Sequence, residues 1–191
     1  MSYHFFPMIA RMRYINRWGL MRNIQTENIQ EHSHMVAVLA HALAVLQNEK
    51  FGPRVDPGAV AVAALYHDAS EILTGDMPTP IKYDNPEIQS AYKQVEAMAE
   101  SKLLSMLPQD LQRAYEPILS ISDPEIRALV KAADKLDAYL KCVEELKAGN
   151  AEFRKAKEQT YAALCASPIP ALRYFMDHFL AGFELTLDEL N

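Results

Sequence analysis

A chain of 191 residues, half of them hydrophobic, is sized for one compact domain with a substantial core. Its formal net charge of −6 argues against a protein that coats a nucleic-acid polymer, which needs a basic surface, but leaves room for a small anion at a local positive site. The longest apolar stretch, Met35–Leu46, is interrupted by His41 and too short to span a bilayer, and no signal-peptide pattern is present, so a cytoplasmic protein without membrane contact is expected.

Residues 1–26 hold Arg11, Arg13, Arg17 and Arg22 and no acidic residue. Such a beginning also marks organelle transit peptides. Here Ile15, Trp18 and Leu20 read as core residues, so the segment is taken as part of the fold. Glycine is scarce and helix formers abound, and proline placement divides the rest. Asp56-Pro57, Asn85-Pro86, Asp123-Pro124 and Ser167-Pro168 each put an N-cap residue before a proline at a first helical position, and Gly149-Asn150 reads as a stop followed by a new start. Helices are predicted over 3–16, 31–49, 57–70, 86–106, 109–119, 124–148, 151–165 and 168–181. The fold class is therefore all-α, a helical bundle of about seven or eight helices in a single domain. Residues 73–84, stiffened by Pro78 and Pro80 around Thr79, are the main irregular stretch. Ile88, Tyr92, Val95, Met98 and Leu103 read as core packing of their helix. Cys142 and Cys165 read as reduced core thiols.

The predicted helices bring chemistry to three places. In 31–49 the apolar seam Val36, Leu39, Leu43, Leu46 extends back one turn to His32, while His34 and His41 face solvent. Taken alone, His32 is more simply a hydrogen-bonded core histidine. In 57–70, Val60, Ala64, His67 and Glu71 share a face, and Asp68 lies about 100° round the helix. An adjacent His-Asp pair with a glutamate one turn on can address one divalent ion and the water beside it. In 124–148 the apolar face Leu129, Ala133, Leu136, Leu140, Val143 is flanked by both Asp134 and Asp137. Periodicity slightly favours Asp137. Either could instead be an ordinary solvated carboxylate or pair with Lys131, Lys135 or Lys141.

The segments Ile15-Asn16-Arg17-Trp18, Glu31-His32-Ser33, Tyr66-His67-Asp68-Ala69-Ser70-Glu71, Thr74-Gly75-Asp76-Met77-Pro78-Thr79-Pro80 and Ala133-Asp134 resemble the HD-domain metal-dependent phosphohydrolases, and within them the bacterial 5'-deoxynucleotidases of the YfbR type. The likeness runs over nearly the whole chain, through Tyr139-Leu140-Lys141-Cys142 to Leu187-Asp188-Glu189. It implies His32, His67, Asp68 and Asp134 as metal ligands, selecting Asp134 over Asp137. It implies catalytic roles for Glu71, Arg17 and Asp68, with Glu71 working on the attacking water. It further implies that Arg17 holds the phosphate, that Trp18 packs on the sugar and disfavours a ribose 2'-hydroxyl, that Asp76 and Thr79 meet the sugar side, and that His32 and Asp134 lie against the substrate. The implied reaction is hydrolysis of a deoxynucleoside 5'-monophosphate by in-line attack of a metal-activated water, and the implied assembly is a homodimer.

The nitrogen and oxygen donor set suits Co²⁺ or Mn²⁺, with Zn²⁺, Fe²⁺ or Cu²⁺ also compatible, better than Ca²⁺. One ion is expected, because no further inward-facing histidine is available. Three alternatives have distinct requirements. A phosphohydrolase of broader nucleotide specificity, or one acting on longer phosphates, needs more cations than Arg17 and Lys82. A non-catalytic metal-containing sensing module has no need of Glu71 or Arg17. An HD-type oxygenase needs a di-iron ligand set that this sequence does not offer.

Overall fold

The structure, a computed structural model, describes residues 2–52, 54–82 and 85–190, without the side chains of Thr79 and Pro80. Its α-helices in chain order are α1 (Phe5–Ile9), α2 (Ile29–Leu46), α3 (Pro57–Tyr66), α4 (Glu71–Thr74), α5 (Thr79–Lys82), α6 (Pro86–Leu104), α7 (Gln109–Leu119), α8 (Pro124–Lys147), α9 (Arg154–Cys165) and α10 (Pro170–His178). No strand forms among the described residues; the one isolated bridge pairs Asn16 with Asn28. The all-α expectation therefore holds.

Capping chemistry sets the main boundaries. Asp56, Asn85 and Asp123 each accept backbone N–H groups at a helix start with proline just inside it. Ser167-Pro168 does not serve this way. The helix opens two residues later, with Ile169 at the cap and Pro170 in the first turn. Gly149 takes a positive φ of 90° and ends α8, and the Asn150 side chain caps the short turn that follows. The predicted N-terminal helix is shorter and tighter, with α1 passing into a 3-10 turn over Ala10–Tyr14. The stretch expected to be irregular contains α5.

The centre of the molecule is α2, α3 and α8. Val36, Leu39 and Leu43 from α2, Val60 and Ala64 from α3, and Leu129, Ala133, Leu136, Leu140 and Val143 from α8 form one apolar cluster. Leu164 of α9 and Leu172 and Phe175 of α10 close it. A second cluster gathers Phe5, Ala69, Leu103, Leu107 and Leu119. Four expected core residues are instead exposed: Leu20, Val95, Met98 and Cys165. Cys142 is buried, and burial pushes its thiol up to about 11.

The predicted helix 57–70 does not run through. It ends at Tyr66, and residues 67–70 form tighter turns with Ala69 N–H on Tyr66 O at 2.9 Å and Glu71 N–H on Asp68 O at 3.0 Å. Packing gives the reason. Ala64 belongs to the first cluster and Ala69 to the second, and the tightened turn lets the chain cross between them. The His67-Asp68 pair sits at this crossing.

Candidate functional site

His32 stands in the first turn of α2 and is completely buried. Its Nδ1 lies 2.6 Å from the Asp137 Oδ2 carboxylate oxygen, so Nδ1–H donates and Nε2 is the free ring atom. His67 is fixed in the same sense, with Nδ1 donating to the Ala64 carbonyl at 2.7 Å. Both Nε2 atoms are buried without a hydrogen-bond partner. They converge on carboxylates: His32 Nε2 is 3.4 Å from Asp68 Oδ2 and 3.2 Å from Asp134 Oδ1, and His67 Nε2 is 3.3 Å from Asp68 Oδ2.

These spacings have a chemical meaning. Donors about 2.0–2.2 Å from one ion in tetrahedral or octahedral array are themselves about 3.0–3.5 Å apart. Two oriented imidazoles whose free nitrogens have no protein partner, beside two carboxylates at that spacing, fit a divalent transition metal. His32, His67 and Asp68 lie within mutual reach of one ion, with Asp134 beside His32. Glu27, His32 and Asp137 form another close group. There, however, His32 Nδ1 is engaged by Asp137 and Glu27 by Arg17 and Trp18, so no second ion position follows.

The local charges reflect this crowding. Burial opposes ionisation of Asp68, but His67 and His32 hold its carboxyl well below the usual range. Asp134 is likewise held down by His32 and His67 against the same desolvation. Burial and Arg17 push His32 down, but Asp134, Asp137 and Asp68 outweigh them and hold the imidazole up. Glu71, buried at the start of α4, has an Oε2 without a partner. Desolvation and the nearby Asp68 and Asp76 push its carboxyl up to about 9, with Lys82 and Arg17 opposing.

A second assembly borders the first. Arg17 donates from Nη1 to Glu27 Oε2 at 2.6 Å, and its guanidinium lies 3.9 Å from both Asp134 and Asp137. Trp18 donates its indole N–H to the same Glu27 oxygen at 3.1 Å and its backbone N–H to Asp76 Oδ2 at 3.2 Å. The Trp18 ring packs on Phe153 at 5.3 Å. The loop behind this arm is tied down by Glu145, fully buried in α8, which accepts from the backbone N–H of Ile24 and Gln25, from Lys141 and from Asn150. Lys141 also donates to the Gln25 carbonyl.

Of the residues singled out in the sequence, Arg17, Trp18, His32, His67, Asp68, Glu71, Asp76 and Asp134 are thus brought into one connected region. The Thr79 side chain lies outside the described residues. Asp137 is buried, hydrogen-bonded to His32 and close to Arg17. It is therefore neither a solvated carboxylate nor a lysine partner; Lys141 pairs with Glu145 instead. Sequence reasoning passed over Glu27 and Glu145. A signal for Glu27 was present, since it is the first acidic residue after an acid-free, arginine-rich start. Glu145 carried only its i,i+4 spacing from Lys141.

Comparison with known proteins agrees with this architecture. The chain is 52% identical over 190 residues to a 5'-deoxynucleotidase of Vibrio cholerae, covering 98% of each chain. It is 50% identical to a 5'-deoxynucleotidase of Shewanella oneidensis, covering 98% of this chain and 97% of the relative. In fold it is similar to an HD-domain phosphohydrolase from Listeria innocua, with a TM-score of 0.80 at 24% identity over 94% of this chain and 88% of the other. It is also similar in fold to the cyanophage S-2L HD phosphohydrolase bound to dA and one catalytic Zn²⁺ ion, with a TM-score of 0.65 at 22% identity over 94% and 96%. The family described as 5'-deoxynucleotidase YfbR-like matches residues 4–183, and the chain belongs to that family.

Proposed function

We propose that the chain is a metal-dependent phosphomonoesterase that hydrolyses deoxynucleoside 5'-monophosphates to deoxynucleoside and phosphate, working as a single functional unit. The observation that carries this reading is the convergence of two buried, partnerless Nε2 atoms with Asp68 and Asp134 beside a partly buried arginine. His32, His67, Asp68 and Asp134 would hold one divalent ion, Co²⁺ or Mn²⁺ first and Zn²⁺, Fe²⁺ or Cu²⁺ also compatible. When bound, such an ion supplies Lewis-acid polarisation of a phosphate oxygen and acidifies a coordinated water.

The protein's own groups do the rest. Arg17 binds the phosphate through donors not engaged by Glu27 and offsets the charge on its equatorial oxygens. Glu71 accepts the proton of the attacking water as the new P–O bond forms in line with the breaking bond to O5'; the departing oxygen takes a proton from solvent to give the nucleoside hydroxyl, and Glu71 returns its proton to solvent. Desolvation first, then Asp68 and Asp76, hold Glu71 up; a divalent ion held by His32, His67, Asp68 and Asp134 would offset the carboxylate part of that effect and favour the ionised form needed for this step. Asp76, already tied to the Trp18 backbone through one oxygen, keeps the other for the sugar side; Thr79 is assigned to the same side by family resemblance alone. Trp18 supplies the apolar wall that a 2'-hydroxyl would meet.

Lys82 supports a monophosphate over a longer phosphate. Its Nζ is engaged by Glu96 at 2.8 Å and lies over the Tyr92 ring, so it is not a free cation for further phosphates. A homodimer in the cytoplasm completes the proposal. Exposed apolar residues such as Met35, Val38 and Val45 on α2 and Val62 and Leu65 on α3 are available to a second copy, and light scattering in solution tests for the dimer. No helix among the described residues is long and apolar enough to cross a membrane.

Phosphate release by metal-stripped protein re-supplied with Co²⁺ or Mn²⁺ tests the activity. Metal-dependent release from dAMP, with little from AMP or dADP, is expected. Equal release from dAMP and AMP would remove the 2'-deoxy preference, and release from none of them would remove the phosphomonoesterase.

A further inference from the structure

Glu27 has no assigned part in the chemistry above, yet it is the joint of the arm. The backbone fixes it first. The Arg17 N–H donates to the Glu27 carbonyl at 2.9 Å and the Ile29 N–H to the Ile15 carbonyl at 2.9 Å, so 15–17 and 27–29 are pinned side by side. The Glu27 side chain is only 16% exposed, and its Oε2 alone takes both the Arg17 guanidinium and the Trp18 indole N–H. Trp18 itself has φ 60°, a strained conformation for a bulky aromatic residue. Such a conformation persists only where surrounding contacts over-determine it. Here those contacts are the Asp76 carboxylate on its backbone, Phe153 on its ring and Glu27 on its indole.

We propose that Glu27 is a specificity-determining positioning residue that couples Arg17 to Trp18 through one carboxylate oxygen. The inference rests on the reading of Arg17 as the phosphate-holding residue and Trp18 as the sugar-facing one. Because both donors share one acceptor, neither can move without the other, and the spacing between phosphate site and sugar wall is set. Glu27 also holds the arginine back. Asp134 and Asp137, each 3.9 Å away, are the other anions within reach. Without Glu27 the guanidinium would close on them, losing its hold on the phosphate and leaving the indole without a partner.

The test uses Glu27→Ala and Glu27→Gln in the metal-loaded protein. Trp18 is the only tryptophan, so its fluorescence reads the arm directly and independently of turnover. Glu27→Ala should raise KM for dAMP and lower the dAMP-to-AMP ratio of kcat/KM, each by about tenfold, the scale of one charge-assisted hydrogen bond. Its emission should shift to the red and quench more readily with acrylamide, at unchanged metal content. Glu27→Gln keeps a neutral acceptor of the same length. It should retain the wild-type emission and most of the selectivity while still showing the raised KM. Wild-type selectivity and emission in Glu27→Ala, or loss of its metal, would overturn the proposal. If the wild-type protein does not discriminate dAMP from AMP, the reading of Trp18 as a sugar wall fails. The emission of the two variants then decides the coupling by itself: a shift in Glu27→Ala but not in Glu27→Gln upholds it, and no shift in either overturns it.

Discussion

Two regions meet at the site and are built by opposite means. The cluster of His32, His67, Asp68 and Asp134 stands on α2, the turn after α3, and α8, whose apolar faces are locked together by Val36, Ala64 and Leu136. The arm over 15–28 has almost no regular structure. It is held by polar ties to Glu27, Asp76 and Glu145. Helix packing fixes donors to a fraction of an ångström without any ligand, as an ion site requires. Polar ties fix an arm while leaving its outer face open to substrate. The two regions should therefore fail separately: damage to the cluster costs the ion, and damage to the arm costs affinity and selectivity.

The largest effect should come from the cluster. His67→Ala should lose bound metal and with it essentially all phosphate release, while Trp18 emission stays that of the wild type; a shifted emission would break the separation. Glu71→Gln should retain metal and lower kcat by about 10²–10⁴-fold, the usual range for a positioned proton acceptor. The same variant carries a pH signature in metal-free protein. A carboxyl raised to about 9 in the folded state destabilises folding progressively as pH climbs from its unfolded value of about 4.5 through 9, because the folded chain alone must keep or lose that proton at cost. Glu71→Gln should therefore raise the metal-free Tm markedly at pH 8 and change it little at pH 4. Equal shifts at both pH values would argue against a buried, raised carboxyl.

Asp137→Ala should weaken metal affinity by about 10–100-fold without abolishing binding, since it removes the group that orients His32 and not a ligand. Metal affinity should also fall with decreasing pH, because carboxylates hold the His32 imidazole up and a proton competes for its ring. The smallest catalytic effect belongs to the far end of the arm. Glu145→Gln should raise KM by a few-fold and lower Tm by a few degrees, about 1–2 kcal/mol for a weakened buried network, with metal content unchanged. A loss of metal there would join the two regions that the structure keeps apart.

The same contrast explains what could be read before the structure. Positions set by apolar periodicity were legible: Val36, Leu39 and Leu43 lead back to His32, and Val60 and Ala64 lead on to His67. Caps were legible too, because Asp56, Asn85 and Asp123 act within two or three residues of themselves. The break at Tyr66 was not, because it follows from Ala69 reaching a second core assembled from distant parts of the chain. Periodicity left Asp134 and Asp137 open, since both flank one face, and only the distance of 2.6 Å to His32 Nδ1 gives Asp137 a defined partner. Leu20, Val95, Met98 and Cys165 misled because an apolar side chain need not be buried. Glu27 and Glu145 tie the arm through hydrogen bonds to groups 9 to 121 residues away, which no local pattern encodes.

The most direct measurement of the central claim is a Co²⁺ titration of the metal-stripped protein and of Asp134→Ala, followed by visible absorption and direct metal analysis. The account predicts one equivalent bound by the wild-type protein, with nitrogen-and-oxygen-ligand spectra, and a severe loss of binding in Asp134→Ala. Two equivalents in the wild-type protein, or an Asp134→Ala variant that binds like it, would contradict it.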